Sequence, residues 1–171
     1  VATMFACGTD PITGHPTYPV AGPDGEVWGV VHRTDGDPKY LYPEVPVSQT
    51  LFGYHRFPPG FIKRVIAVEG AADVMAMHTT RGRSQDTLIV GCYGAGLHAP
   101  QVTLINQLRP QMVVLAFDND EAGRRAAERE YDLDAEVHVV GWPYGVKDPA
   151  EATPSMRRKV LRYGQPRRST H

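Results

Sequence analysis

Two aspartates separated by one residue, Asp118 and Asp120, have the type and spacing that point most directly to chemistry. They follow the longest apolar run of the chain, 112–117. If the chain stays extended across them, both side chains point to the same side. Glu69 follows a second apolar run, 65–68, and would lie at the end of a neighbouring strand. Three carboxylates within about 4 Å repel by about 4 kcal/mol per pair at an effective dielectric near 20, so we expect a cation between them.

The type of cation follows from the donor atoms. No histidine or cysteine lies at ligand spacing beside these carboxylates, and an all-oxygen site suits Mg²⁺ or Mn²⁺ better than Zn²⁺. An alternative stays open: Asp118 and Asp120 could cap the following helix by accepting its free N–H groups, and Glu69 could lie at a helix start for the same reason. The placement of all three at the ends of strands in one predicted sheet favours the metal.

The elements that would position these residues follow from the periodicity of the chain after residue 60. Four short runs rich in β-branched residues predict buried parallel strands: 65–68, 87–90, 112–117 and 137–140. Three segments between them predict helices: 73–80, 100–108 and 121–131. This alternation predicts an open α/β fold, a mainly parallel sheet with helices on both faces. In such sheets ligands bind outside the carboxyl ends of the strands.

The domain organisation follows from composition. Residues 1–60 are interrupted by proline, glycine and aspartate and predict a small β-rich subdomain, with a tight hairpin turn at Asp24-Gly25. Residues 61–154 form the predicted α/β domain. Residues 155–171 carry six basic side chains and predict a helix and tail that could follow a nucleic-acid backbone. The alternative for this last segment is a solvated helix end with a disordered tail.

Composition excludes several classes of protein. Two cysteines are too few for a disulfide scaffold or a paired-cysteine zinc site, and the longest apolar run is far shorter than the roughly 20 residues that span a bilayer. The net charge of -1 does not by itself indicate a nucleic-acid binder. We therefore expect a soluble cytoplasmic protein with reduced thiols.

Three motifs lie at or near the ends of the predicted strands: E-G-A-A-D-V at 69–74, D-N-D-E-A-G-R at 118–124 and K-D-P at 147–149. Together they are similar to the TOPRIM domain of bacterial and phage DnaG-type primases. The A-G-R that follows the D-x-D resembles the primase form of this domain, whereas topoisomerases have R-E-G or D-G in that region. Asn119 stands where the family has glycine, and the turn at 93–97 stands where the family has a glycine-containing turn.

Segments before residue 60 also resemble the part of the primase core that precedes TOPRIM. They are G-V-V-H-R at 29–33, K-Y-L at 39–41 and L-F-G at 51–53. The resemblance implies that Arg33 and Lys39 contact the template or the nucleotide phosphates. The family usually has asparagine after K-Y-L, where this chain has Tyr42, so that contact is not carried over.

The resemblance implies a role for each remaining polar residue of the motifs. Glu69, Asp118 and Asp120 would be catalytic metal ligands, and Asp148 either an outer-shell carboxylate or a ligand of a third metal. Asp73 would support the ligands from behind, with a charge in the first helical turn as an equal alternative. Arg124 and Lys147 would contact nucleotide or nucleic acid, and for Lys147 a solvated loop lysine is an equal alternative.

The function that this implies is RNA primer synthesis on single-stranded DNA. A 3'-hydroxyl would attack the α-phosphate of an incoming NTP, with two Mg²⁺ or Mn²⁺ ions activating the hydroxyl and neutralising the phosphates. The implied partners are the single-stranded template, NTPs, a replicative helicase and a separate zinc-ribbon module that reads the template, with no membrane. Two other functions stay open, a TOPRIM metal-dependent nuclease and a non-catalytic nucleic-acid-binding or assembly module.

Overall fold

The computed structural model describes residues 2–56, 62–81 and 86–162, together with the backbone of a short strand at 165–166. The predicted domain boundary near residue 60 and the terminal arginines Arg167 and Arg168 lie outside the described residues. No helix among those described is both long and apolar enough to cross a membrane.

An antiparallel sheet forms the N-terminal part of the chain. Its strands run in the order β1-β2-β3-β4. They are β1 (Gly8–Thr9), β2 (Pro16–Ala21), β3 (Val27–Arg33) and β4 (Tyr40–Leu41). The β2–β3 hairpin is confirmed: the N–H of Gly22 donates to the carbonyl of Glu26 at 2.8 Å. Gly25 has φ +90°, a conformation that glycine adopts without steric cost.

A second sheet contains the predicted parallel strands and has the order β6-β5-β7-β8-β9. Its strands are β5 (Arg64–Val68), β6 (Thr87–Gly91), β7 (Met112–Leu115), β8 (Glu136–Val139) and β9 (Gln165–Pro166). The first four pair in parallel and β9 adds an antiparallel edge. β7 is two residues shorter than predicted, although the N–H of Ala116 still donates to the carbonyl of Ala67 at 2.8 Å.

Four helices cover the two faces of this sheet. They are α1 (Ala71–His78), α2 (Ala99–Gln107), α3 (Glu121–Glu128) and α4 (Pro154–Arg162). α3 ends three residues before the predicted end because Arg129 is extended, with ψ 146°. The Tyr131 hydroxyl then donates to the Ala126 carbonyl at 2.8 Å and holds the chain where it leaves the helix.

Alternate residues of β5 divide the core into two layers. Val65 and Ala67 belong to a cluster that includes residues of α2 and α3. Ile66 and Val68 belong to a second cluster with residues of α1, α4 and the N-terminal sheet. Helices therefore lie on both faces, as predicted, and the N-terminal sheet packs on the α1 face.

A backbone link attaches the segment after the N-terminal sheet to the parallel sheet. Phe52 pairs with Gly91 at the end of β6, through hydrogen bonds of 2.8 and 3.1 Å. The Phe52 ring packs among Phe5, Tyr18 and Tyr93. The N-terminal sheet is thereby fixed next to the carboxyl ends of the parallel strands.

Replacing Leu115 tests how much the central strand β7 contributes to the free energy of unfolding. We expect Leu115→Ala to lower the free energy of unfolding by about 2–5 kcal/mol, because its side chain is fully buried and a cavity would remain. Leu41→Ala, at a leucine that is 52% exposed in β4, should change it by less than about 0.5 kcal/mol. Urea unfolding of both variants measures the difference. Equal losses would contradict this placement of the core.

Candidate metal centre

Glu69 and Asp118 lie at the ends of adjacent strands. β5 and β7 are neighbours in the sheet, and each of the two residues follows its strand closely. The backbone N–H of Asp118 donates to Oε1 of Glu69 at 3.1 Å. The predicted proximity of these two residues is therefore present in the structure.

Asp118 has the electrostatic environment of a cation ligand. Its Oδ1 is buried and has no hydrogen-bond partner among the described residues. Burial raises the pKa of Asp118 to about 7, and the negative charges of Glu69, Asp73 and Asp148 add to the shift. Lys147 opposes the shift without cancelling it. A carboxylate in this setting gains from a neighbouring cation.

Glu69 experiences the same surplus of negative charge. Burial raises its pKa, and the charges of Asp120 and Asp148 act in the same direction. The Asp118 N–H and Lys147 act in the opposite direction. Lys147 therefore lies close enough to influence both predicted ligands, although its own side chain is exposed.

Asp120 has a different local role. Its Oδ1 accepts the N–H of Gly123 at 2.9 Å, which makes Asp120 the N-cap of α3. The capping alternative is therefore found at Asp120, whereas Asp118 makes no such contact within the described chain. Because the cap uses one oxygen, Oδ2 of Asp120 remains able to approach a cation.

Asp73 joins the two loops that carry Glu69 and Asp148. It is 7% exposed and accepts the N–H of Gly70 and the N–H of Ala150, each at 3.2 Å. Burial and the charge of Asp148 raise its pKa to about 6, against the effect of the two hydrogen bonds. Asp73 thus acts as both the first-turn charge of α1 and a support for the neighbouring loop.

Asn119, which stands where the family has glycine, holds the 147–149 loop against the end of β7. Its backbone N–H donates to the carbonyl of Lys147 at 2.6 Å, and its Nδ2 donates to the carbonyl of Val146 at 3.1 Å. Arg124 in turn donates to the carbonyl of Asn119 at 2.8 Å. The Arg124 side chain is exposed, but because of this hydrogen bond it lies against the loop rather than extending into solvent.

Arg157 is a residue of the site that sequence reasoning missed. Its guanidinium donates to the carbonyls of Pro149 and Ala150 at 3.2 and 3.3 Å, so α4 holds the loop that follows Asp148. In the sequence, Arg157 belongs to a basic run that suggests nucleic-acid contact. Nothing local in that run distinguishes Arg157 from its basic neighbours.

The close packing around Gly123 explains why the A-G-R motif has a glycine at this position. A Cβ at this position would lie 2.1 Å from the carbonyl oxygen of Asp118 and 2.8 Å from Oε1 of Glu69. Real Cβ contacts are not that short, so any larger residue would displace the start of α3 from the strand ends. The close approach of α3 to the carboxylates depends on this glycine.

Arg33 and Lys39 meet at one aromatic ring. Arg33 donates to the Tyr40 hydroxyl at 2.9 Å, and the Arg33 and Lys39 cations lie 5.2 and 6.0 Å from the ring centroid. Next to them, Tyr42 is 46% exposed and packs edge-on against Tyr93, with centroids 6.5 Å apart. Burial raises the pKa of Tyr42, and the charge of Glu69 acts in the same direction, so this part of the N-terminal sheet lies near the carboxylates.

The donor set fits a divalent cation, although its oxygens are not arranged around one point. Over residues 2–56, 62–81 and 86–162, no three His, Cys, Asp or Glu side chains are positioned to hold a metal ion together. All the acidic groups present are oxygen donors, and Asp118 Oδ1 is buried without a partner. Oxygen donors of this kind suit Mg²⁺ or Mn²⁺ better than Zn²⁺.

Comparison with curated proteins finds DNA primases. The DNA primase of Streptomyces coelicolor is 29% identical over 160 residues, which cover 83% of this chain and 24% of that protein. The DNA primase of Deinococcus radiodurans is 31% identical over 155 residues, which cover 84% of this chain and 26% of that protein. The chain spans about a quarter of the length of these relatives.

Solved structures share the fold. A structure of the zinc-binding and RNA polymerase domains of Aquifex aeolicus primase has 24% identity and a TM-score of 0.65, covering 89% of this chain and 42% of that one. A DnaG catalytic domain bound to single-stranded DNA has 20% identity and a TM-score of 0.63, with 96% and 60% covered. The primase fragment of the bacteriophage T7 primase-helicase has 19% identity and a TM-score of 0.70, with 94% and 67% covered.

The family assignment rests on the domain that carries the carboxylates. The sequence profile described as Toprim-like matches residues 66–153, just over half of the chain. This segment runs from within β5 to the loop after β8 and contains every acidic residue of the candidate metal centre. The chain therefore belongs to the Toprim-like family; it is similar in sequence to bacterial DNA primases and shares its fold with the DnaG catalytic core and the phage T7 primase fragment.

Proposed function

We propose that this chain is the RNA-synthesising portion of a DNA primase, which makes short RNA primers on single-stranded DNA. The observation that carries the proposal is the extent of the match to DNA primases. Those matches cover 83–84% of the chain, and the Toprim-like segment alone is just over half. They therefore extend into the N-terminal sheet, which a Toprim nuclease would not be expected to share.

The carboxylate edge supplies the chemistry of this proposal. Glu69, Asp118 and Asp120 would hold Mg²⁺ or Mn²⁺ at the ends of β5 and β7. When bound, such ions lower the pKa of an attacking 3'-hydroxyl and neutralise the charge of the phosphates. Asp118 contributes most from the protein side, because its buried oxygen and surplus negative charge favour a cation over water.

The loops around the edge would keep the ligands in place. Asp148 would approach the cation from the loop after β8, as a further carboxylate near Glu69 and Asp118. Asp73 would hold the Glu69 and Asp148 loops together through its two backbone hydrogen bonds. Buried supporting carboxylates of this kind orient metal ligands without touching the metal.

The basic residues beside the edge would position nucleotide and template. Lys147 opposes the rise in the pKa of Glu69 and of Asp118 that burial causes, and it would contact the triphosphate of a nucleotide bound beside them. Arg33 and Lys39 lie together on Tyr40 in the N-terminal sheet and would contact phosphates from that side. Arg124, already bound to the Asn119 carbonyl, would reach phosphates only by exchanging that bond.

The partners follow from the related proteins. The DnaG catalytic domain was solved with single-stranded DNA, the Aquifex primase contains zinc-binding domains, and the T7 fragment comes from a primase-helicase. We propose a single-stranded DNA template, NTP substrates, a zinc-ribbon template reader and a replicative helicase for this chain. Its work would take place in the cytoplasm of a bacterium or of a phage-infected host.

Nucleotide incorporation tests the function. The protein, supplied as its full-length parent chain, is incubated with single-stranded DNA, labelled NTPs and Mn²⁺. We expect short labelled RNA, a loss of at least about a hundredfold in Asp118→Ala and near-normal yield in Asp132→Ala, an exposed aspartate away from the site. DNA cleavage that needs Asp118 but incorporates no NTP would establish the nuclease alternative. Nucleic-acid binding with neither reaction would establish the non-catalytic module.

Stability measurements with pH and metal test the cation site. Because the pKa of Asp118 is raised in the folded state, that state binds more protons than the unfolded one, and this group's stability contribution falls from about pH 4 to about pH 7. Asp118→Asn should therefore be more stable than the parent protein near pH 8 and lose this advantage progressively as the pH falls to about 4. His78, whose pKa burial lowers to about 4, has the opposite slope, which cancels in the comparison.

Mg²⁺ should stabilise the parent protein near pH 8, by about 2.7 kcal/mol at a concentration a hundredfold above Kd. It should stabilise Asp118→Asn much less. Thermal melts with Mg²⁺ and with EDTA measure both effects. Equal stabilisation of the two proteins would show that the ion binds elsewhere.

Gly123 tests the close approach of α3. Gly123→Ala places a Cβ 2.1 Å from the Asp118 carbonyl oxygen, so we expect a loss of about 1–3 kcal/mol in stability and loss of Mg²⁺-dependent activity. Gly141→Ala is the matched control, since a Cβ there meets nothing within 4 Å. It should change stability by less than about 0.5 kcal/mol. Normal activity in Gly123→Ala would contradict the geometry.

A further inference from the structure

A second concave site lies at the opposite edge of the parallel sheet. A cavity of about 670 Å³ opens at the amino ends of the strands, away from the carboxylates. The starts of β5, β6, β7 and β8 form its base, and the last turns of α4 form one wall. Its volume lies within the range of about 300–1,000 Å³ that holds small-molecule ligands.

The lining of this cavity is strongly basic. Five lining residues are basic, namely Lys63, Arg64, Arg81, Arg158 and Arg162. Only Asp86 and Glu136 are acidic, which leaves an excess of three positive charges. The whole chain, by contrast, has a net charge of -1, so the cavity concentrates positive charge that the composition conceals.

Each of the two acidic residues has a basic side chain beside it. Asp86 forms an ion pair with Lys63 at 3.6 Å. Glu136 Oε1 lies 2.8 Å from Nε2 of the buried His138. Neither carboxylate forms an ion pair with Arg64, Arg158 or Arg162 in the described part of the chain.

Three arginines face the cavity without an acidic partner in the described part of the chain. Arg64 donates to the carbonyl of Leu161, and its buried Nε has no acceptor there. Arg158 and Arg162 lie one turn apart on the exposed side of α4 and form no ion pair with a described residue. Arginine at such a site pairs well with phosphate, because its planar guanidinium can donate two parallel hydrogen bonds.

We propose that this cavity, which we call the basic cavity, binds the phosphate groups of a nucleotide-sized anion. Arg158 and Arg162 would contact the phosphates from α4, and Arg64 would lie at the base and fix α4 through Leu161. The source of the phosphates is either a free nucleoside triphosphate or the backbone of a nucleic acid. The proposal does not depend on the metal centre, because the two sites lie at opposite ends of the strands.

Binding measured in EDTA tests the basic cavity without loading the metal centre. Calorimetry with tripolyphosphate, ATP and oligothymidylate is carried out on the parent protein, Arg158→Glu, Arg162→Glu and Lys159→Glu. Lys159 is the matched control: it is exposed on the same helix, and its variant carries the same charge change, but it does not line the cavity. We expect tripolyphosphate to bind about tenfold or more weakly to each arginine variant and within about twofold of normal to Lys159→Glu.

The other ligands identify the source of the phosphates. If ATP also binds more weakly to the two arginine variants but normally to Lys159→Glu, the natural ligand is a free nucleotide. If oligothymidylate shows this difference and ATP does not, the ligand is a nucleic-acid backbone. Arg158→Lys/Arg162→Lys, which keeps both charges, should restore binding to within about threefold. Circular dichroism melts check that α4 folds in every variant. Absence of tripolyphosphate binding, or equal weakening in all three glutamate variants, would overturn the proposal.

Discussion

Repulsion among carboxylates at one edge of the parallel sheet is the constraint on which the rest of the site depends. Three carboxyl groups are partly or fully buried near Asp148, namely those of Glu69, Asp73 and Asp118. Burial together with mutual repulsion raises the pKa of all three. A folded protein tolerates such a cluster when a cation or a proton offsets it. The strand order makes the cluster unavoidable, because β5 and β7 are neighbours and their carboxyl ends meet.

Backbone contacts hold this strained arrangement without neutralising it. Asp73 binds two loops, Asn119 binds the loop after β8, and Arg157 binds the same loop from α4. Gly123 lets α3 begin within contact distance of the Asp118 carbonyl. These contacts involve backbone N–H groups, backbone carbonyls and one glycine, and none of them is an ion pair. The negative charge of the carboxylates therefore remains available for a metal. An excess of positive charge lies instead in the basic cavity at the other edge.

Periodicity and motif spacing predicted the parallel sheet, its helices on both faces, the N-terminal hairpin and the adjacency of Glu69 and Asp118. They could not predict which aspartate of the D-x-D caps α3, because the choice depends on how Asp120 meets the N–H of Gly123. The roles of Asn119 and Arg157 were also missed, since each contacts a loop distant in the sequence or hidden within a basic run. The same run supplies Arg158 and Arg162 to the basic cavity. The net charge of the chain does not reveal this cavity.

Anomalous diffraction from crystals soaked in Mn²⁺ tests most directly the claim that the carboxylate edge is a metal centre. The account predicts an anomalous peak in contact with Asp118 Oδ1 and at least one further carboxylate among Glu69, Asp120 and Asp148. The Glu69 and Asp120 side chains should rotate toward that peak from their present hydrogen-bonded positions. A well-ordered edge without a peak, in crystals where Mn²⁺ is bound at another place, would contradict the account.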